Sequence, residues 1–456
     1  MKFEINSEDV VKVTKLCKKV ISSKSGLPVL SQIKVEVLPG KIFFSCTDLE
    51  MCLITTIECK TEGEGTFLLP FKAIEKVKSN GKVIVRYENS IEIQNSTGSV
   101  SIIPNDSEEF PMISKDEAQY MLGEDFLEKT AGCLPAVSSD ESRSILNSVC
   151  IQKDAVLSTD GKRLHVFKTA NPELFPGFND SGIIVPAKTI KTLQAIAKLE
   201  KVKVLKIGGS TKTVPNSEED SQSGISEPED PQICEPLSVT FEIGNTILSS
   251  KVIDGIYPEW KNVIPQEVKS VVIIERKPLI AVLTESLNYT DPKYPAVILY
   301  CNGNNEKKLD IYTDGDSQQS KYYANLPYVI EGADEVFGLS INPEYMLDAL
   351  KLINSDKVKL KFVDSIQPVV LEGDNASEGL FVIMPIRRDD SIVPYSEFCE
   401  QEKQKVVATP INETVQDETT PESTNIADPL PEPVPVSVPV EEKQGEDSEI
   451  QVEITV

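Results

Sequence analysis

The stretch STDGKRLHV at residues 158–166 places a carboxylate, a glycine, two cations and an imidazole within nine positions. His165 is the single histidine of the 456-residue chain, so Asp160 and His165 form the obvious pair for general acid–base chemistry. The same side chains also suit a phosphate-binding loop or a docking site for another protein. The elements around the stretch must decide among these three uses.

Enzyme chemistry is disfavoured by what the chain lacks. One histidine leaves no triad and no metal cluster to assemble, and a GxxxxGK[ST] loop for nucleoside triphosphates is absent. The nine cysteines are scattered without a CxxC pair, so we expect buried, reduced thiols. We therefore predict no catalytic residue, no metal and no cofactor, and a packed, hydrogen-bonded role for His165.

The net charge of −26 argues against nucleic-acid binding until its distribution is considered. Residues 389–456 carry 17 acids and 3 lysines, and residues 209–236 carry 7 acids and 1 lysine. Together these two segments have a net charge of −20 out of the total −26, so the remainder of the chain has a net charge of only −6. The N-terminus has no apolar signal segment and no run approaches 18 apolar residues, which predicts a soluble cytoplasmic protein without membrane contact.

Three internal repeats organise the chain. Each repeat has a strand running into Thr-Asp and, later, an apolar strand turning into a helix. The first marker stands at 41–50, 154–163 and 308–316, and the second at 67–77, 183–196 and 339–350. Asp48, Asp160 and Asp314 thus recur once per unit, as a structural turn would. Two helices and several alternating strands per unit predict an α+β fold of three tandem similar domains with antiparallel sheets.

The predicted boundaries follow from the repeats and from composition. Domain 1 spans residues 1–117, domain 2 spans 118–268 with an acidic loop inserted at 209–236, and domain 3 spans 269–388. Residues 389–456 are rich in Glu, Pro, Thr and Val, which predicts a disordered acidic tail.

Lysines recur on the polar faces of the predicted helices. In the opening helix, 7–21, they lie opposite an apolar stripe. The lysines of this set are Lys12, Lys15, Lys19, Lys72, Lys76, Lys188, Lys191 and Lys198. Lysines often do no more than solvate a helix face. Their repetition at matching positions favours a function, although the helix that carries Glu344 and Asp348 in the third unit lacks the pattern.

The residues also resemble those of a known family, the bacterial sliding clamp or β subunit of DNA polymerase III. The matching stretches are MKFEI, LPVLSQI at 27–33, TDLEM at 47–51, STDGKRL, IIVPAKTI, SKVIDGIYPEW at 250–260 and FVIMPIR at 381–387. The resemblance covers about residues 1–388. It implies a homodimeric ring of six domains, with helices lining a central hole, that encircles duplex DNA and acts as a processivity factor.

Residue roles follow from the resemblance. The lysines above would face DNA without reading its sequence, joined by Lys24 and Arg143 from loops. The family's dimer contact corresponds to Val100 and Ile102 on one side and to Leu287 and Tyr289 on the other.

The resemblance also answers what the opening stretch does. In the family the TDGxRL loop belongs to a cleft between domains 2 and 3, where the polymerase catalytic subunit, the clamp loader and repair proteins insert short peptides. The implied cleft residues are Leu146, Thr159, Gly161, Lys162, Arg163, Leu164, Pro258, Val263, Tyr294, Asn342, Tyr345, Ile366, Pro368, Val382, Ile383, Met384, Pro385, Ile386 and Arg387. The alternative is a β-repeat scaffold for protein interactions that does not act on DNA.

Overall fold

A computed structural model of the protein describes residues 1–21, 26–77, 81–104, 110–111, 118, 120–123, 125–169, 182–200, 205–209, 211–214, 233–301, 307–313, 321–332, 337–375, 378–388 and 391–408. The chain divides into two compact units, Met1–Glu402 and Lys403–Val456. The first unit contains the three repeats.

The three repeats share one element order, in which a strand, a helix and a run of antiparallel strands occur twice. The first has β1 Lys2–Asn6, α1 Ser7–Cys17, β2 Gln32–Leu38, β3 Lys41–Thr47, β4 Met51–Glu58, β5 Lys60–Glu62, β6 Gly65–Pro70, α2 Phe71–Glu75, β7 Lys82–Tyr87, β8 Ile91–Asn95 and β9 Gly98–Ile102. The second has β10 Tyr120–Leu122, α3 Phe126–Cys133, β11 Ser148–Ile151, β12 Ala155–Thr159, β13 Arg163–Lys168, β14 Ile183–Pro186, α4 Ala187–Leu199, β15 Leu205–Gly208, β16 Thr211–Val214, β17 Ile233–Pro236, β18 Ser238–Ile243 and β19 Thr246–Lys251. The third has β20 Ser270–Glu275, α5 Arg276–Ser286, β21 Val297–Cys301, β22 Lys308–Tyr312, β23 Tyr323–Gly332, β24 Phe337–Ile341, α6 Pro343–Leu352, β25 Lys357–Phe362, β26 Val369–Glu372 and β27 Leu380–Ile383, followed by α7 Tyr395–Ala408. The predicted fold class is confirmed.

Amphipathic helices cover the sheets because their apolar stripes need burial. In α1 the residues Val10, Val13 and Leu16 are at most 2% exposed, as the helical wheel predicts. The same logic holds for α4, where Ile190 and Leu193 are fully buried. Each helix layer thus seals one sheet face and leaves its polar side outside.

Backbone pairing joins the repeats into continuous sheets. β4 of the first repeat pairs with β19 of the second, inside a sheet of eight strands. β13 of the second pairs with β27 of the third, inside a sheet of twelve. Both pairings are antiparallel, so each repeat boundary is crossed by main-chain hydrogen bonds that fix the relation of neighbouring repeats.

The structure describes part of each acidic segment. The predicted insertion lies within a hairpin, since β15 pairs with β18, and the short strands β16 and β17 inside it pair with each other. Residues 210 and 215–232 lie outside the described residues. The prediction of disorder from residue 389 is wrong for residues 391–408. Ile392, Tyr395 and Phe398 of this segment pack on a sheet face. The average composition of the tail does not reveal such a local apolar cluster.

The cysteines and the helix lengths agree with the sequence. The eight cysteines whose side chains are described form no disulfide with one another, and six of them are buried. In the part of the chain that the structure describes, every helix is too short or too polar to cross a membrane.

Candidate functional site

The loop between β12 and β13 is held by its own side chains. The Thr159 hydroxyl donates to the Arg163 carbonyl at 2.6 Å and accepts from the Gly161 N–H at 3.0 Å. Oδ1 of Asp160 accepts from the N–H groups of Lys162 and Arg163 at 2.8 and 3.0 Å. Gly161 has φ +86°, a left-handed conformation that glycine adopts without steric cost. Asp160 is thereby committed to a turn, and it is not oriented towards His165 as an acid–base partner.

The first repeat builds the same turn. Thr47 and Asp48 make the four equivalent hydrogen bonds, at 2.7–3.0 Å, and Leu49 occupies the left-handed position with φ +77°. Beyond the turn, the Lys251 N–H donates to the Glu50 carbonyl at 2.9 Å, as the Met384 N–H does to the Lys162 carbonyl. In the first two repeats Thr-Asp is therefore a structural turn, as predicted, and both turns lie at a junction between repeats. Asp314 lies outside the described residues.

Arg163 gives the second turn ionic and ring contacts at a position where the first turn has a methionine. Its Nε lies 3.2 Å from Oδ2 of Asp160 and its Nη1 lies 2.6 Å from Oδ2 of Asp348 on α6. The guanidinium carbon stands 4.2 Å from the centre of the Tyr345 ring. These contacts link repeat two to repeat three. Only 12% of the Arg163 side chain is exposed, so water screens them only partly. The first repeat has Met51 at the equivalent position.

The last strand of the third repeat, β27, lies beside β13 at the other side of the predicted cleft. Ile383 pairs with Arg163, and the chain continues along β24 through a hydrogen bond from the Ile386 N–H to the Ser340 carbonyl at 2.7 Å. Tyr257 anchors the linker between the repeats, since its hydroxyl accepts from the Thr159 N–H at 3.0 Å while its ring is buried. Burial raises the pKa of Tyr257, so its hydroxyl stays protonated.

The predicted cleft residues separate by exposure. The large apolar side chains of Val263, Tyr294, Ile366, Met384 and Ile386 are 38–69% exposed, so they are available for contact with a ligand. Leu164, Val382 and Ile383 are at most 2% exposed, so they belong to the core beneath and cannot contact a ligand directly. The remaining members are exposed or half-buried: Leu146, Thr159, Gly161, Lys162, Arg163, Pro258, Asn342, Tyr345, Pro368, Pro385 and Arg387.

The predicted Asn342 and the unpredicted Asp364 each stabilise the local backbone. Asn342 caps α6, since its side-chain oxygen accepts from the Glu344 N–H at 2.8 Å. The turn that presents Ile366 is fixed by Asp364, which accepts from two backbone N–H groups at 2.8 Å. These hydrogen bonds lower the pKa of Asp364.

His165 is a core residue. It is fully buried, its Nδ1 lies 2.8 Å from the Gly132 carbonyl oxygen, and its ring meets Phe381 edge-on at 4.9 Å. Burial lowers the pKa of His165 to about 4, so the imidazole is neutral near pH 7. The predicted packed role is confirmed.

The predicted DNA-facing cations do not behave alike. Lys12 pairs with Glu200 at 2.8 Å, and only 22% of its side chain is exposed, which links α1 to the end of α4. Lys188 pairs with Asp48 across the same junction, and Arg143 pairs with Asp140 at 3.1 Å. Lys24 lies outside the described residues. The other members are exposed: Lys15, Lys19, Lys72, Lys76, Lys191 and Lys198.

The residues predicted at a dimer contact lie on two separate surfaces. Val100 is 55% exposed on β9, at the edge of its sheet, and Ile102 ends the same strand. Leu287 and Tyr289 lie in a 3₁₀ helix after α5, where the Tyr289 ring stacks on Tyr322 at 5.6 Å.

Some residues that contact the predicted site residues have no signal in the sequence. Asp348 stands 185 positions from Arg163, so only the fold brings the two together. The i,i+3 spacing of Asp160 and Arg163 could have suggested that pair. Glu200, the partner of Lys12, has no comparable clue.

Comparison with known proteins gives consistent matches along the first 387 residues. Family models of the DNA polymerase III beta subunit match residues 1–114 (N-terminal domain), 129–259 (central domain) and 261–387 (C-terminal domain). Proteins named beta sliding clamp are similar: that of Synechococcus elongatus is 25% identical over 389 residues, covering 82% of this chain and 95% of its own length. That of Bacillus subtilis is 23% identical over 422 residues, covering 85% and 100%.

Solved structures agree in fold. The Bacillus subtilis DNA polymerase sliding clamp gives a TM-score of 0.70 at 22% identity, covering 85% of this chain and 99% of that one. The Thermotoga maritima DNA polymerase III beta subunit gives 0.69 at 20% identity, with 85% and 99% covered. The three family models together span most of the chain in the order of its three repeats. The chain therefore belongs to the DNA polymerase III β subunit family, the sliding clamps, which serve the polymerase as an accessory subunit without catalysis of their own.

Proposed function

We propose that two copies of this sliding clamp close head to tail into a ring that holds duplex DNA by enclosure and binds partner peptides in the cleft beside Arg163. Family membership accounts for DNA and a polymerase as partners. The homodimer, the DNA-facing lysines and the cleft residues are the finer parts of the proposal.

The observation that carries ring closure is the repeated junction within the chain. β4 pairs with β19 at the first junction and β13 pairs with β27 at the second. By position in the repeat, the next pair would be β23 of one copy and β9 of another. Among the described strands β9 pairs only with β8, and the first half of β23 pairs only with β22. Unpaired main-chain groups on such edges are a template for a further strand.

Enclosure makes weak, diffuse contacts sufficient. Lys15 on α1, Lys19 two residues beyond its end, and Lys191 and Lys198 on α4 are exposed. The Lys12–Glu200 pair joins these two neighbouring helices. Lysine ammonium groups attract phosphates without reading bases, which suits a protein that must move along any sequence.

The cleft suits a short peptide with large apolar side chains. Its rim combines exposed Ile366, Met384 and Ile386 with the oriented guanidinium of Arg163. A Pseudomonas aeruginosa sliding clamp, 18% identical with a TM-score of 0.70, has been solved bound to griselimycin, which supports the presence of a ligand site in the shared fold.

Retention on DNA tests the ring. Loaded on nicked circular DNA by a clamp loader, the protein should co-elute with the circle and be lost when the circle is linearised. Val100→Asp should shift the protein to monomers and abolish retention, because it places a charge on the closing edge. Met121→Asp is a matched control, since Met121 is 62% exposed on β10 and lies away from the proposed edge. A wild-type protein that is monomeric at all concentrations, or that remains on linear DNA, would refute the proposal.

A further inference from the structure

The chain continues past the last family-model match at residue 387 and returns to the third repeat. Residues 391–401, here the C-terminal segment, lie against the sheet of β21 to β24. Ile392, Tyr395 and Phe398 of this segment pack on a buried cluster of Ile298, Tyr300 and Tyr312.

This contact is on the sheet face away from the helices. Side chains alternate across a strand, and in β21 Val297 and Leu299 join the main core with α5, while Ile298 and Tyr300 point the other way. Ile298 and Tyr300 are nonetheless only 3% and 8% exposed. The C-terminal segment covers a face that would otherwise present large apolar side chains to water.

Specific contacts accompany the apolar packing. The Tyr312 hydroxyl donates to the Val393 carbonyl at 2.5 Å. The Tyr395 ring stacks on Tyr323 with centroids 4.1 Å apart and planes 7° apart. Lys321 places its ammonium 4.9 Å from the centre of the Phe398 ring. A hydrogen bond, a ring stack and a cation–π contact together fix one docked geometry.

The receiving surface is shaped for this occupant. A Cβ on Gly338 would lie 2.4 Å from Cγ2 of Ile392, so the segment approaches β24 more closely than any other residue would allow. Tyr323, which receives the Tyr395 ring, is the first residue of β23. Its hydroxyl also donates to Asp310 at 3.0 Å, so β22 and β23 are held by the same group of side chains.

We propose that the outer sheet face of the third repeat is a docking site for the chain's own C-terminal segment, and that the docked segment supports β23 as the strand that closes the ring. The second clause rests on the proposed homodimer. The segment lies beyond the family match, so this support is an addition of this chain to the clamp fold.

Two full-length variants test the docking from opposite sides. Tyr395→Ala removes the stacked ring from the segment, and Gly338→Ala places a methyl group where Ile392 sits. Gln401→Ala, an exposed change on the same helix, is the control. Hydrogen exchange read by mass spectrometry should accelerate about tenfold or more in residues 391–401 for both variants and stay unchanged in the control. Unchanged exchange in both variants overturns the docking.

The same variants test the support of β23. Exchange should also rise in residues 323–327, and the dimer dissociation constant from sedimentation equilibrium should increase several-fold. Faster exchange of the segment with no change in β23 or in dimer dissociation overturns the support. A wild-type protein that is always monomeric refutes the ring. Hydrogen exchange in residues 391–401 and 323–327 still decides the docking and its effect on β23 in that case.

Discussion

The contact between Arg163 and Asp348 offers a sharp test of the cleft, because it is the ionic link between its two walls. Asp348→Asn keeps the shape of the side chain and an oxygen that can accept a hydrogen bond, but removes the charge. Arg163 would retain Asp160 at 3.2 Å and the Tyr345 ring. The guanidinium would no longer be fixed from the side of repeat three.

The size of the effect follows from exposure. A hydrogen bond to a charged group contributes ~1.5–3 kcal/mol. The side chains of Arg163 and Asp348 are 12% and 31% exposed, so solvent screens part of this energy. We therefore expect a loss of about 1 kcal/mol in the free energy of unfolding. A comparable loss of preorganisation in the cleft would weaken peptide binding about fivefold.

Fluorescence anisotropy with a labelled short peptide that carries large apolar side chains measures the binding, and chemical denaturation measures the stability. Lys351→Ala, an exposed change on the same helix, should leave both unchanged. Arg163→Lys should weaken binding more than Asp348→Asn, because lysine cannot reproduce the planar, two-sided contact. Unaltered peptide affinity in Asp348→Asn and Arg163→Lys would refute a positioning role for this pair.

Three further outcomes follow from the described contacts. Burial lowers the pKa of His165 from 6.5 to about 4, so between these pH values the unfolded chain binds a proton that the folded chain does not. As the pH falls over that interval, wild type should lose about 3 kcal/mol more of its free energy of unfolding in urea titrations than His165→Gln does. Equal losses would contradict the buried neutral imidazole. Gly161→Ala should cost about 1 kcal/mol in the same assay because of its left-handed backbone, whereas Leu49→Gly should cost little, since it relieves the same strain. Lys12→Ala should lower the free energy of unfolding by about 1–2 kcal/mol, because it leaves the Glu200 carboxylate without its cation. Lys15→Ala should change only the DNA affinity. Equal stability of the two variants would show that the pair between the repeats is dispensable.

The repeated elements are readable in the sequence because their signals are local. The stripe of Val10, Val13 and Leu16 predicts α1 from spacing alone, and the Thr-Asp markers predict three equivalent turns. Even the modest role of His165 could be predicted, since a lone histidine in an apolar strand has no partner for catalysis. Periodicity and turn chemistry depend on neighbours within a few positions, and those neighbours are written in the sequence.

These local signals could not predict which of the predicted site residues are exposed and which are paired or buried. Lys12 and Lys15 are equivalent on a helical wheel, yet one is paired and half-buried and the other is exposed. Leu164 and Met384 both match the cleft by resemblance, but one is sealed in the core and the other is on the surface. Which face of a residue meets water is set by chain segments far away along the sequence.

The sequence by itself determined the three-fold α+β repeat, the family and the set of residues from which the sites are drawn, because hydrophobic spacing and turn residues act over short range. The tertiary structure alone decided that Arg163 is oriented by Asp348, that Glu200 claims Lys12, and that Tyr395 stacks on Tyr323. Each of these contacts joins side chains many positions apart, and their energies exist only once strand pairing has brought the segments together and excluded water from between them.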